Sequence, residues 1–331
     1  MTKTYQVVGI GNAVVDVLTR SDDSFLDHMG IQKGIMQLIE RDRAETLYAA
    51  MSERTQAPGG SVANTIAGIG SLGLRTAFIG KVHDDALGRF YVKAMEDDGT
   101  DFVNPPVAGG DLPTSRSMIF VSPDGERSMN TYLGVSAELG PEDVSDDVAG
   151  QAEILFLEGY LFDKDKGKEA FTRAARLCRE AGGKAGIAIS DPFCVERHRA
   201  DFLKLIDHQL DFVIGNEAEI RSLYQNDDLE ADLAAVAAIC PLVVCTRSGD
   251  GISVMEHGKR TDIAVEKIVP VDATGAGDQF AAGFLFGLAT GRDVETCGRM
   301  GAVAAREVIQ HMGPRPEADL TALFRRAGLI G

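Results

Sequence analysis

The sequence has no tryptophan, and aromatic residues make up 6% of its 331 positions. Large aromatic platforms therefore matter less here than close backbone approach, for which 37 glycines are available. Positive charge is also short. Lys and Arg number 33 against 50 Asp and Glu, a net charge of −17. Such a surface repels phosphate backbones and argues against nucleic acid as a partner. A small anion is still acceptable if backbone N–H groups or a metal hold it locally. The five cysteines, Cys178, Cys194, Cys240, Cys245 and Cys297, form no C-x-x-C pair and are odd in number. That argues against a disulfide framework or zinc site and for a reducing, cytoplasmic setting. No apolar run reaches the roughly 18 residues of a membrane span, and the N-terminus carries no secretory pattern. A P-loop is missing: Gly-Lys occurs at 80–81, 167–168, 183–184 and 258–259 and is never followed by Ser or Thr. The H-R-D, D-F-G and G-x-S-x-G motifs are missing too. A kinase built on this chain would use neither a P-loop nor the protein-kinase fold.

What is present is alternation. Apolar runs at Val7–Ile10, Val14–Leu18 and Thr76–Gly80 read as strands, and Arg41–Met51, Val62–Leu72 and Ala86–Asp97 as helices. Ser115–Ser122 and Glu126–Tyr132 flank Pro123-Asp124-Gly125 and predict a hairpin. From residue 151 onward, strands at Ile154–Leu157, Gly186–Ser190, Phe212–Ile214 and Leu242–Thr246 alternate with helices at Lys166–Ala181, Val195–Asp207 and Asn216–Tyr224. Two more helices follow at Gly277–Ala289 and Val294–Ile309. The pattern predicts βαβ units and a mainly parallel sheet covered on both faces. It is read as one α/β domain, 1–331, with a smaller β insertion from segments near 13–40 and 101–135.

Four segments could carry chemistry. In the first, a strand expected to end near Val271 runs through Asp272-Ala273-Thr274-Gly275-Ala276-Gly277 into a helix that begins beside Asp278. The first N–H groups of a helix lack partners and its N-terminus is partly positive, which makes an anion site. Asp278 beside it could accept the proton of an attacking hydroxyl, or merely cap the helix. The helix terminus is expected to keep its proton affinity low, which phosphoryl transfer tolerates. In the second, Gly59-Gly60-Ser61-Val62-Ala63-Asn64 opens another helix. Gly60 would leave room for a ligand, Ser61 could serve as N-cap, and Asn64 could bind a ligand or pack in the helix. In the third, Gly9-Ile10-Gly11-Asn12 begins like a dinucleotide fingerprint but lacks the third glycine. Asn12 and Asp16 could meet ligand hydroxyls, or be a turn residue and a solvent-facing acid. In the fourth, Asn216 and Glu219 have capping-box spacing and could instead organise Mg²⁺ through water.

Together these segments resemble the ribokinase-like (PfkB) family of carbohydrate and nucleoside kinases. GGSVANTIAGIGSLG with Gly80-x-Val82-x-x-Asp85-x-x-Gly88 is similar to the family's first signature, DATGAGDQFAAGFLFGL to its second, and Asn216-x-x-Glu219 to its N-x-x-E motif. The resemblance implies a three-layer α/β/α sandwich with a small β-sheet lid, and MgATP as phosphoryl donor. Asp278 would be the base, with Gly275, Ala276 and Gly277 as anion hole. Thr246, Gly249 and Gly251 join Asn216 and Glu219 as candidates for contact with ATP and Mg²⁺. Asp272 and Thr274 match positions near a monovalent cation, K⁺.

Within the family several segments resemble adenosine kinases. Gly11–Asp16 and Gly60, Ser61 and Asn64 are similar to their ribose-binding segments, Glu126-Arg127-Ser128 to their lid arginine, and Asp191-Pro192-Phe193 to the segment beside the purine. Tyr160, Phe162 and Phe193 would form an apolar slot for the base. The expected activity is transfer from MgATP to the 5′-hydroxyl of adenosine, by a monomer or homodimer. A sugar kinase acting on ribose, fructose or 2-keto-3-deoxygluconate is the rival, and a non-catalytic nucleoside-binding protein the remote one.

Overall fold

The structure, a computed structural model, describes residues 3–226 and 228–331. In chain order the strands are β1 (Tyr5–Ile10), β2 (Val14–Arg20), β3 (Met36–Leu38), β4 (Thr55–Gly59), β5 (Thr76–Ile79), β6 (Thr100–Phe102), β7 (Ser115–Val121), β8 (Arg127–Tyr132), β9 (Ala152–Glu158), β10 (Lys184–Ala188), β11 (Phe212–Asn216), β12 (Leu242–Thr246), β13 (Ile252–Glu256) and β14 (Lys259–Ile263). The helices are α1 (Asp23–His28), α2 (Arg41–Ala50), α3 (Ser61–Ser71), α4 (Ala86–Asp97), α5 (Asp146–Ala149), α6 (Asp165–Glu180), α7 (Pro192–Gln209), α8 (Glu217–Tyr224), α9 (Leu229–Ile239), α10 (Ala276–Ala289), α11 (Val294–Val308) and α12 (Leu320–Arg326).

The large sheet runs β14-β13-β12-β11-β10-β9-β1-β5-β6. It is parallel except at β13 and β14, which pair antiparallel at one edge. Its strands are apolar on both faces because both faces are covered. Phe156, Phe212 and Val244 pack on the side of α3 and α10, and Leu155, Val213 and Val243 on the side of α6, α7 and α9. Successive residues thus feed opposite layers, as strand geometry requires. This is the expected three-layer architecture.

The small sheet runs β3-β8-β7-β2-β4. Val15, Val17, Met118 and Phe120 on one face share a core cluster with Leu26 of α1 and Leu47 of α2. The expected hairpin is β7–β8, turning at Gly125 with φ 87°. The small sheet differs from the expected insertion in two places. Thr55–Gly59, outside those segments, supplies an edge of the small sheet, where Pro58 is tolerated. Thr100–Phe102, at the start of the expected segment 101–135, belongs instead to the large sheet, where it pairs with β5.

The strand expected near Val271 does not form. Val269 and Val271 are 92% and 63% exposed, and Pro270 between them has no N–H for a ladder. The chain approaches α10 as an extended loop, tied by Val271 N–H to Ile309 O at 2.8 Å.

Candidate active site

β1 lies between β5 and β9, and from there the strand order runs outward in opposite directions, through β5 to β6 on one side and from β9 to β14 on the other. Open α/β sheets bind ligands at the C-terminal edge beside such a switch point. Asn12 follows β1 there and Glu158 ends β9. Glu158 is 1% exposed and accepts from Asn12 N at 3.1 Å, Asn12 Nδ2 at 2.8 Å and Val62 N at 3.0 Å. It therefore clamps the end of β1 to the first turn of α3. Asn12 Oδ1 accepts the Ser136 hydroxyl at 2.5 Å. With both ends of its amide engaged and 4% exposure, Asn12 is framework rather than the direct hydroxyl ligand expected.

Asp278 stands in the first turn of α10 but does not cap it. The N-cap is Gly275, with no side-chain cap, and the Asp278 carboxylate reaches across to α3. Oδ1 accepts from the Ser61 hydroxyl at 2.7 Å and Oδ2 from Asn64 Nδ2 at 3.0 Å. Thr65 Oγ1 donates to the Asp278 carbonyl at 3.0 Å. Ser61 is thus not an N-cap, since Gly60 holds that position. The expectation of a low proton affinity is overturned: burial pushes Asp278 up to about 6, against the Ser61 and Asn64 bonds and the charge of Arg315. A helix terminus contributes only a few tenths to about 2 kcal/mol, and desolvation of a carboxylate exceeds that. Asp16, aimed at the same space from β2, is pushed up to about 7 by burial, opposed by Arg127 and Arg315. Glu158 is pushed up to about 7 for the same reason.

The glycines divide by role. Gly60 has φ 97°, and a Cβ there would lie 2.3 Å from the Asn12 carbonyl oxygen. Its lack of a side chain accommodates the turn after β1 rather than the ligand space expected. Gly275 has φ 79°, and its Cβ would collide with Pro314. At Gly277, by contrast, a Cβ would meet open space. Ala276 N already donates to Ala273 O at 3.2 Å. Helix geometry gives the amides of Gly277 and Asp278 no carbonyl within α10, so they are the donors suited to an anion. Beside them lies a cavity of about 290 Å³, bounded among others by Thr246, Gly249, Gly251, Ala276 and Gly277.

Asn216 and Glu219 form the full capping box, with Asn216 N to Glu219 Oε2 at 2.9 Å and Glu219 N to Asn216 Oδ1 at 2.9 Å. Asn216 Nδ2 adds a contact of 2.6 Å to Glu219 Oε1, and burial pushes this carboxyl up to about 7.

Arg127, expected at the acceptor, meets Asp272 instead, with Nη2 2.7 Å from Oδ2. Asp272 Oδ1 accepts from Thr274 N at 3.0 Å and Thr274 Oγ1 at 2.7 Å, and Oδ2 also accepts from Gly313 N at 3.0 Å. Asp272 and Thr274 therefore do not fit the monovalent cation expected of them: a guanidinium already neutralises the carboxylate.

The aromatic slot is not assembled as expected. Phe162 is core, stacked on Phe202 with centroids 4.0 Å apart. Phe193 is 69% exposed at the start of α7. Tyr160 is half-buried, and burial raises its hydroxyl pKa. Apolar surface comes from elsewhere. Met36 and Leu38 are 42% and 53% exposed and pair in register with Met129 and Thr131. Those residues share a strand face with Arg127, so Met36 and Leu38 face the cleft that Arg127 and Asp16 face. Sequence reasoning also missed Glu158, Gln279 and Arg315. A lone carboxylate closing the apolar run Ile154–Leu157 was the available signal for Glu158.

Among the described residues no helix is long and apolar enough to cross a membrane, and no group of three or more His, Cys, Asp or Glu is placed to hold a metal ion.

The model of the pfkB family carbohydrate kinases matches residues 31–320. The crystal structure of an adenosine kinase from Sinorhizobium meliloti is 46% identical, covering 98% of this chain and 99% of that one, with a TM-score of 0.90. A probable sugar kinase from Rhizobium etli is 43% identical over 99% and 100% of the two chains, with a TM-score of 0.92. A 5-dehydro-2-deoxygluconokinase from Bacillus velezensis is 29% identical over 262 residues, 76% of this chain and 79% of that protein. A family match that takes in the helix start at Ser61, the Asn216–Glu219 cap and the Asp278 turn alike leaves one assignment: this chain belongs to the pfkB family of carbohydrate kinases and is a phosphotransferase with an alcohol acceptor.

Proposed function

We propose that the chain phosphorylates the 5′-hydroxyl of a nucleoside, adenosine before others, to give AMP. The observation that carries this reading is the exposed apolar face of β3. Met36 and Leu38 stand uncovered on the side of the small sheet that presents Asp16 and Arg127. A free sugar has no use for such a wall, whereas a flat base does. The likeness to the Sinorhizobium meliloti adenosine kinase supports the same acceptor.

In this reading Asp16 receives the ribose hydroxyls, with Asn64 beside them and Gly60 letting the chain of Asn12 pass close to the start of α3. Asp278 orients the 5′-hydroxyl and takes its proton as the oxygen bonds to phosphorus. The Gly277 and Asp278 amides neutralise charge on the transferring group. ATP would supply the phosphoryl group from the cavity at Thr246, Gly249 and Gly251, whose lining fits a nucleotide because Gly277 opens freely toward it. Mg²⁺ is commonly held by phosphates, water and one or two carboxylates. Glu219 fits that role through water, since both of its oxygens already accept from Asn216. The small sheet closes over the acceptor as a lid and excludes water.

The rival is a free-sugar acceptor, favoured by the likeness to the Rhizobium etli protein. The two separate in one assay. Replacing Met36 and Leu38 together by Ala should raise KM for adenosine about tenfold or more and leave any sugar turnover unchanged. Equal loss with both acceptors would contradict the nucleoside reading.

A further inference from the structure

Arg315 lies in the segment between α11 and α12 and sends its guanidinium to the active site. Nε donates to Asn64 Oδ1 at 3.3 Å, Nη1 donates to the Asp98 carboxylate, and Nη2 contacts Met95 Sδ at 3.4 Å. The Arg315 side chain is 16% exposed. At the other end of the same amide, Asn64 Nδ2 donates to Asp278 Oδ2 at 3.0 Å. A guanidinium only donates, so it selects the carbonyl end of Asn64 and leaves the amino end for Asp278.

The segment is itself pinned. Gly313 N donates to Asp272 Oδ2 at 3.0 Å, and Pro314 O accepts from Gln279 Nε2 at 3.0 Å. Glu307 Oε1 accepts from Glu317 N at 3.0 Å and Ala318 N at 2.8 Å. Arg315 is therefore delivered by a braced loop rather than by a free side chain.

We infer that Arg315 is a positioning residue for phosphoryl transfer: it holds Asn64 in the one orientation that serves Asp278 and supplies the positive charge beside which Asp278 works. This rests on the reading of Asp278 as the group that takes the acceptor's proton. The groups around Asp278 give that charge its weight. Acidic ones approach from β2 (Asp16), from the end of β9 (Glu158), from the turn after it (Tyr160) and from α8 (Glu219). α3 offers only the neutral donors Ser61 and Asn64. Arg127 of β8 is already committed to Asp272. Burial raises Asp278, and Arg315 is the charged group that opposes it.

The test compares wild type, Arg315→Met and Arg315→Lys, with Asp278→Asn as reference. ¹³C NMR of aspartate-labelled protein follows the Asp278 carboxylate, identified as the resonance missing in Asp278→Asn, and needs no acceptor. In Arg315→Met this titration should move up by about one pH unit. Where an acceptor is turned over, the acid limb of kcat/KM should move with it, so that activity drops about fivefold near pH 6 and recovers toward pH 8.5. A merely structural role would lower activity equally at both. Arg315→Lys should titrate like wild type yet turn over more slowly, because an ammonium cannot reproduce the fork on Asn64 and Asp98. An unmoved Asp278 titration in folded Arg315→Met would overturn the inference. If Arg315→Met does not fold, an upward move in Arg315→Lys, or full wild-type turnover by it, would overturn it as well. Substantial turnover by Asp278→Asn would instead remove the base reading beneath it.

Discussion

Arg127 of the small sheet and Asp272 of the loop before α10 form an ion pair of 2.7 Å whose side chains are 7% and 8% exposed. The contact joins the small sheet to the loop of the anion site, because Thr274 shares the same carboxylate. Removing one member of a buried pair leaves an uncompensated charge, a loss of about 3–5 kcal/mol.

Arg127→Met should therefore loosen the loop from Asp272 to Asp278. Amide hydrogen exchange across it should speed up markedly, while the core strands β9 and β11 keep their protection. The double change Arg127→Met with Asp272→Asn should cost less than the two single changes summed. Strict additivity would show that the pair does not couple the small sheet to that loop.

Asp278→Asn keeps the shape and most of the hydrogen bonding but cannot take a proton. The expected loss is about 10²–10⁴ in kcat, with ATP affinity within a few-fold of wild type. Isothermal titration with ATP and a coupled ADP assay check the two halves. A kcat within tenfold of wild type would remove Asp278 from the role of base.

The buried carboxylates set a pH dependence of known sign. Asp16 is raised to about 7 in the folded chain. A raised carboxyl costs stability once it is ionised, so the penalty is complete above pH 7 and shrinks as pH falls through that value. Asp16→Asn removes it. The variant should be more stable than wild type toward urea at pH 8, and the gap should narrow by pH 5. For activity, Asp278 must be ionised, so kcat/KM should rise with pH through about 6.

Much of this site was legible because it is local. The Gly275–Asp278 turn, the Ser61–Asn64 helix start and the Asn216–Glu219 cap each lie within a few residues, where backbone chemistry is readable. What escaped is long-range. Arg315 meets Asn64 across 251 positions and Glu158 meets Asn12 across 146, and no local pattern encodes either. The proton affinity of Asp278 was misjudged for the same reason: the helix terminus is visible in sequence, but the burial that outweighs it is not. Phe162 and Val271 show the converse limit. An aromatic after a strand reads alike as slot or core, and a valine beside Pro270 reads as strand until its missing partners are seen.

The acceptor wall makes a separate prediction. Leu38→Asp places a charge on the exposed face of β3, away from the core that Val17 and Leu47 share. Folding should be unaffected within about 0.5 kcal/mol. Adenosine turnover at low concentration should fall about tenfold or more through KM, because a charge cannot stay paired under an apolar base. A fall confined to kcat would place Leu38 outside the acceptor pocket.

The most direct measurement is ADP release from MgATP by the purified chain against adenosine, inosine, guanosine, ribose, fructose and 2-keto-3-deoxygluconate, assayed side by side at pH 7.5. The account predicts that adenosine gives the highest kcat/KM and that AMP appears in step with ADP. Turnover of a free sugar with none of any nucleoside would contradict it.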